Sequence, residues 1–297
     1  MSDKIFKSGF VAIVGRPNTG KSTLLNKITG DKLAIVSNKP QTTRNSILTI
    51  KTTEDYQLIF VDTPGVHKPK NRLGEFMNRV VTETIADVDA AVLVAECDKA
   101  PGETEKELIA QLKAREIPAI LVLNKADAAS KDAILPVIAQ YTALCDFEAV
   151  IPMSALKESA DKVIDEVLKL IPEGPMYYPE DQMTDVPEKD IASEMIREKI
   201  LRLFDKEVPH GTAVEIEKFS DGEDLLRIEA AIYCEKNSHK SIIIGKGGEA
   251  LKRVGSYARS DMEKFFGKKV FLKLWVKVRS DWRNSMSDLK TLGFERK

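Results

Sequence analysis

Gly15-Arg16-Pro17-Asn18-Thr19-Gly20-Lys21-Ser22 decides the fold of the first half of this chain. It fits G-x-x-x-x-G-K-[ST] and lies between a strand-like apolar run, Gly9–Val14, and a helical pattern, Lys21–Thr29. The glycines let backbone N–H groups turn inward around a β-phosphate, and the N-terminus of the following helix adds its positive dipole end. Lys21 supplies a point charge to the β/γ oxygens, and the Ser22 hydroxyl is placed to ligate Mg²⁺.

Outward from this loop, strand-like runs alternate with helix-length amphipathic stretches, the signature of βα units on a mostly parallel sheet. Strands are predicted at Ile47–Thr53, Tyr56–Val61, Ala90–Ala95, Pro118–Leu123 and Ala149–Pro152, and helices at Leu73–Ile85, Glu103–Ala114, Ile134–Tyr141 and Ala160–Leu170. The short turn at Glu54–Asp55 makes the second and third strands an antiparallel hairpin. The expected class is therefore α/β with a mixed, mostly parallel sheet.

Three further segments complete a nucleotide site. Asp62-Thr63-Pro64-Gly65 ends the third strand, where an acidic residue can hold the metal through its waters. The Gly65 N–H is placed to contact a γ-phosphate and to lose it on hydrolysis, which would make Val66–Asn71 a switch segment. Asn124-Lys125-Ala126-Asp127 follows the apolar run AILVL. A carboxylate at Asp127, read as buried, would accept hydrogen bonds from guanine N1–H and the N2 amine. Adenine offers an acceptor at N1 and no amine at C2, so GTP is selected over ATP. Asn124 would brace neighbouring loops, the Lys125 stem would cover the base, and the backbone of Ser154-Ala155-Leu156 would meet guanine O6.

In this order and spacing the four segments resemble those of translation-factor-class GTPases, from Phe10 to about Ile171. The resemblance implies that the loop Ser37–Asn45, with Gln41-Thr42-Thr43-Arg44, is the first switch and that Thr43 ligates Mg²⁺ together with Ser22 and Asp62. Val66 stands where Ras-like enzymes carry a water-orienting glutamine. A partner's arginine, a monovalent cation or backbone ordered on the ribosome or RNA must then stabilise the transition-state charge. In GTPases similar to this one, a phosphate-loop asparagine and a switch-I backbone loop hold K⁺, and Asn18 is at the matching position. This implies slow, K⁺-assisted turnover in which Lys21, Asn18, Thr43 and Gly65 carry the catalytic roles.

At 171–188 the pattern stops in a proline-rich, mainly acidic stretch that reads as a linker. The expected division is a GTPase domain over 1–172, a linker over 173–188 and a second domain over 189–297. The second domain is predicted to run as a helix at Ile191–Leu203, strands at Ala213–Phe219 and Leu225–Cys234, and a short helix ending near Ile244. Then come Gly245-Lys246-Gly247-Gly248, a helix to about Phe266 and a strand at Lys269–Val278. A G-x-x-G loop between two helices admits a sugar–phosphate chain, as in KH domains, and α-β-β-α-α-β is the type II KH order, an α+β fold. Lys246, Lys252 and Arg253 supply charge, and Ile242, Ile243 and Ile244 are expected to floor a groove for unpaired bases. Tyr257, Phe265, Phe266 and Trp275 are assigned to the core; no role is assigned to Trp282.

Charge supports this division. Residues 1–187 carry a net −5 and 188–297 a net +4, while Lys236–Arg279 holds 12 basic against 3 acidic residues, which suits a polyanion. Three widely separated cysteines argue against a disulfide framework or zinc site. The apolar runs are too short to span a bilayer, and the first residues lack a signal-peptide pattern. A cytoplasmic location is expected.

With RPNTGKSTLLN, QTTR, DTPG, NKAD and IIIGKGG in one chain, the sequence resembles the Era-type ribosome-assembly GTPases of the TrmE-Era-EngA-like superfamily over essentially its whole length. That resemblance implies GTP/GDP, Mg²⁺ and K⁺ as ligands, and the 3′ end of 16S rRNA and the 30S subunit as partners. It also implies a monomer, with peripheral association at the cytoplasmic face of the membrane left open. A signalling or trafficking GTPase whose C-terminal domain docks a protein is the alternative, but it would leave the positive GxxG cluster idle. An RNA-binding protein with a dead nucleotide pocket is opposed by intact Lys21, Ser22, Asp62 and Asp127.

Overall fold

The computed structural model describes residues 5–30, 43–66 and 68–294. It forms two compact units, the first running to Asp185 and the second from Val186, with Lys70–Leu73 grouped with the second.

In the first unit the order is β1 (Lys7–Val14), α1 (Lys21–Thr29), β2 (Ile47–Thr52), β3 (Tyr56–Asp62), α2 (Arg72–Ala86), β4 (Ala90–Glu96), α3 (Glu103–Ala114), β5 (Ala119–Asn124), α4 (Lys131–Thr142), β6 (Ala149–Pro152) and α5 (Asp161–Leu170). The sheet order is β2-β3-β1-β4-β5-β6, with β2 antiparallel to β3 and every other neighbour parallel. Alternate residues of β1 explain the two layers. Val11 and Ile13 pack with Leu24, Leu25 and Ile28 of α1 and Val163 and Val167 of α5. Ala12 and Val14 pack with Val81 and Ile85 of α2, Leu108 and Leu112 of α3, and Tyr141 of α4. Both sheet faces are covered, which is why these strands read as continuous apolar runs. Because the strands are parallel, the loops after β1, β3, β5 and β6 emerge at one end of the sheet, where α/β folds bind ligands. The antiparallel β2 starts at that end, with Ile47 opposite Asp62.

The stretch 173–185 lies against this unit. Buried Gln57 accepts from the Tyr177 and Tyr178 N–H groups at 2.8 and 3.0 Å. The Thr184 hydroxyl donates to Leu48 O at 2.6 Å, and Ile50 N–H to Met183 O at 2.8 Å.

The second unit contains α6 (Glu188–Leu203), β7 (Thr212–Asp221), β8 (Leu225–Cys234), α7 (Asn237–Ile244), α8 (Glu249–Phe266), β9 (Lys269–Val278) and a short terminal helix, α9 (Met286–Thr291). Its sheet is β7-β8-β9, antiparallel then parallel. One face takes Ile196 and Ile200 of α6, Ile243 of α7, and Val254, Ala258 and Met262 of α8 onto Ile228, Ala230 and Ile232. This is the α-β-β-α-α-β arrangement expected of a type II KH domain.

Two assignments to the core need correction. Tyr257 is 50% exposed. Trp275 lies on the opposite face of β9 from Val270 and Val276, half-buried beneath Lys273 and Lys277 rather than among the helices. Strand alternation is the reason: odd positions of β9 point away from the helical layer. Conversely, Trp282 is fully buried, stacks on Phe294 at 5.8 Å and donates from Nε1 to Gly211 O at 3.0 Å. No helix among the described residues is long and apolar enough to cross a membrane.

Trp282→Ala is expected to destabilise the second unit by about 3–5 kcal/mol, as large buried aromatics do. Urea unfolding followed by near-UV dichroism would measure it.

Candidate nucleotide and RNA sites

The loop between β1 and α1 is drawn around its own lysine. Lys21 is buried and donates from Nζ to the carbonyls of Gly15 at 3.0 Å and Arg16 at 2.9 Å. Burial pushes its pKa down to about 8, and the nearby Asp62 carboxylate opposes that shift. Gly20 has φ +102°, and a Cβ there would lie 2.0 Å from Asn124 Nδ2, so glycine is required on both counts. Asn18 also has positive φ, +66°, and is exposed at the loop tip.

The three residues expected to ligate a metal converge. Ser22 Oγ and Thr43 Oγ1 each donate to Asp62 Oδ2 at 3.0 Å, and the two hydroxyls are 3.2 Å apart. Asp62 is fully buried, which raises its pKa, and its Oδ1 has no hydrogen-bond partner. An orphaned carboxylate oxygen beside two hydroxyls is an all-oxygen donor set that fits Mg²⁺. Residues 37–42 of the predicted first switch Ser37–Asn45, including Gln41 and Thr42, and His67 of Val66–Asn71, lie outside the described residues. After β3, the Thr63 hydroxyl donates to Ile13 O at 2.8 Å, and Val66 N–H reaches Gly15 O at 3.3 Å. A Cβ on Gly65 would sit 2.6 Å from Pro17 N, so the Asp62–Gly65 turn presses directly on the phosphate loop, with Pro64 inside it.

At the far side Asn124 acts as the brace. Its Nδ2 donates to Thr19 O at 2.7 Å, and its Oδ1 accepts from Ala155 N–H at 2.9 Å. Ala126 N–H joins the same loops by bonding Met153 O at 3.1 Å. Lys125 extends to Glu96 at 2.7 Å. Asp127 is exposed, not buried as the guanine argument assumed. It stands on a rim with Leu156, 73% exposed, and pairs with Lys157 at 3.1 Å, so desolvation there would have to come from the base itself. Hydrogen bonding to Ser154 and then Lys157 lowers its pKa.

Sequence reading missed Glu105, which is buried, pairs with Arg16 and accepts from Gly102 N–H at 3.1 Å. The spacing of a glycine three residues before a glutamate at a helix start was the available signal.

In the second unit Gly245–Gly248 joins α7 to α8, with φ +74°, +60° and +83° at Gly245, Gly247 and Gly248. Lys246, Lys252 and Arg253 are exposed. Ile242 is 50% exposed and Ile244 half-buried, but Ile243 has no accessible surface and belongs to the core. It is therefore not part of a groove floor: consecutive helix positions turn by about 100°, so three adjacent isoleucines cannot share one face.

A 50S ribosome-binding GTPase family matches residues 10–125, and a KH-domain family matches 207–283. GTPase Era of Ruminiclostridium cellulolyticum is 55% identical over 292 residues, which is 98% of each chain. GTPase Era of Alkaliphilus oremlandii is 50% identical over 293 residues, covering 98% of this chain and 99% of that one. The chain belongs to the Era family of GTPases. An Aquifex aeolicus Era variant bound to GDP·AlF4⁻ matches with a TM-score of 0.94 at 36% identity, covering 98% of this chain and 100% of that one. A structure of Era in complex with MgGDPNP and nucleotides 1506–1542 of 16S ribosomal RNA gives the same TM-score of 0.94 and the same 36% identity. The protein hydrolyses GTP; the GTPase match lies within the first unit, Lys70–Leu73 apart, and the KH match within the second.

Since the free Lys21 titrates near 8, nucleotide phosphates that restore its charge must draw a proton from solvent above that pH. Calorimetric titration of GDP in buffers of differing ionisation enthalpy is expected to show uptake approaching one proton at about pH 9 and little at about pH 7, after correction for the nucleotide's own ionisation. Equal uptake at both would mean that Lys21 stays charged in the free protein.

Proposed function

We propose that this Era GTPase is a nucleotide-governed RNA binder that grips the 3′ end of 16S rRNA through its KH domain during 30S subunit assembly. The observation that carries the reading is the convergence of Ser22, Thr43 and Asp62 within 3.2 Å in a chain whose other unit presents a G-x-x-G loop between two helices. Both halves of an RNA-linked switch are then present. The Era structure with MgGDPNP and 16S ribosomal RNA supports the same pairing of ligands.

In this reading Ser22, Thr43 and Asp62 hold Mg²⁺, which when bound neutralises charge on the β- and γ-phosphates. Lys21 leaves the Gly15 and Arg16 carbonyls for the β/γ oxygens. Gly65, seated against Pro17, offers its N–H to the γ-phosphate, and Asp127 accepts from guanine N1–H and N2. Thr43, as a ligand to Mg²⁺, would link the third phosphate to the first switch. Val66 cannot orient water, so Asn18 would hold a K⁺ ion that would supply the missing charge, and turnover without it would be slow. The proposed division is a GTPase domain over 1–172, a linker over 173–188 and a KH domain over 189–297, in a protein that acts as a cytoplasmic monomer.

Two measurements test the proposal. Without RNA, the full chain should hydrolyse GTP several-fold faster in KCl than in NaCl of equal ionic strength, and Lys21→Ala should abolish turnover; equal rates in the two salts would remove K⁺ from the mechanism. Filter binding of a 3′-terminal 16S rRNA fragment should be lost in Gly247→Asp, whose carboxylate would face the phosphates. Unchanged binding would remove RNA from the G-x-x-G loop.

A further inference from the structure

The solvent face of α8 carries four cations, Lys252, Arg253, Arg259 and Lys264, with Tyr257 among them and the short side chains of Ser256 and Ser260 at its sides, all exposed. Arg253, Tyr257, Ser260 and Lys264 follow one another at i, i+4, i+7 and i+11, which is a single straight stripe about 17 Å long. Lys252, Ser256 and Arg259 form the neighbouring stripe.

A solvated helix is ordinarily laced with opposite charges three or four residues apart. Helices α3 and α5 are built that way, with Lys106 on Glu103 at 2.9 Å and Lys169 on Glu166 at 2.7 Å. Helix α8 is not. Asp261 is taken by Lys199, Glu263 accepts the Val270 N–H at 3.2 Å, and Glu249 stands exposed one turn before Lys252 and Arg253 as the one acid beside four cations on this face. Among the described residues none of the four cations has an ion-pair partner. Like charges crowded on one face raise the free energy of the isolated helix, so the arrangement calls for an anion.

Tyr257 points the same way. Trp275 lies under Lys273 and Lys277, Phe271 under Arg227, and Phe265 meets Phe266 edge to face at 5.0 Å. Among the described residues the Tyr257 ring meets neither another ring nor a cation. It stands 50% exposed, two turns beyond the Gly245–Gly248 loop. A bare aromatic amid cations suits unpaired nucleotides, whose bases stack while their phosphates are neutralised.

We propose that the solvent face of α8 extends the RNA path beyond the G-x-x-G loop, with Arg259 and Lys264 following the sugar–phosphate chain and Tyr257 stacking one unpaired base. The inference rests on the RNA-binding reading above. A G-x-x-G loop clamps about four nucleotides, and the stripe lengthens that footprint by several more.

The test uses the full chain with two oligonucleotides from the 3′ end of 16S rRNA, roughly four and roughly twelve nucleotides long. Tyr257→Ala should weaken binding of the longer one about tenfold and leave the shorter unchanged, whereas Tyr257→Phe should behave as wild type. Arg259→Gln with Lys264→Gln should lower the slope of log affinity against log salt for the longer RNA by about 1.4. GTP turnover without RNA should be unaltered in all of them. Wild-type affinity of Tyr257→Ala for the longer RNA would overturn the proposal, as would equal weakening toward both lengths. So would flotation with phosphatidylglycerol vesicles that requires Arg259 and Lys264 while RNA affinity stays unchanged. Failure of the wild-type chain to bind either RNA, or indifference to Gly247→Asp, would overturn the parent reading along with this one.

Discussion

Lys21 and Asp62 are opposite charges sealed from solvent in the same small site, and burial drives each toward its neutral form. Such a pair is expensive to hold when its only neighbours are carbonyls and hydroxyls. The fold imposes the arrangement, because β1 and β3 are parallel neighbours and release their loops at the same end of the sheet. A triphosphate with its metal is the ligand that satisfies both groups: negative oxygens for the ammonium and a cation for the carboxylate. Nucleotide binding is thus the relief of a cost already present in the free protein. The surrounding braces, Asn124 between Thr19 and Ala155 and Glu105 on Arg16, keep the loop from collapsing in the meantime.

Much of this was legible in the residues, for a definite reason. Buried parallel strands must be apolar throughout, phosphate loops must be glycine-rich, and G-K-S must open a helix. The predicted strands at Tyr56–Val61 and Ala90–Ala95 therefore fall within a residue of the observed ones. Of the proposed metal donors, Ser22 and Asp62 were legible in their motifs but Thr43 only through family resemblance, since it is 19 residues from Asp62 and no local pattern links them.

What escaped depended on facing and depth. A run of three isoleucines at 242–244 does not say which one points inward, and the helix turns Ile243 into the core. Trp275 and Tyr257 are large enough to suggest interior positions, but strand alternation and helical phase place them outside. Asp127 was read as buried because base selection needs a dry carboxylate, yet the polypeptide alone does not dry it. The role of Trp282 required knowing that the tail returns to Gly211, a contact 71 residues away.

The acidic, proline-rich stretch after α5 has a further consequence. It occupies the Leu48 carbonyl and the Ile50 amide on the outer side of the outermost strand. Left bare, such a border is a template on which a second chain can add itself. A nucleotide domain cut at residue 172 would expose that border to such pairing. The segment is a protective hem as much as a tether.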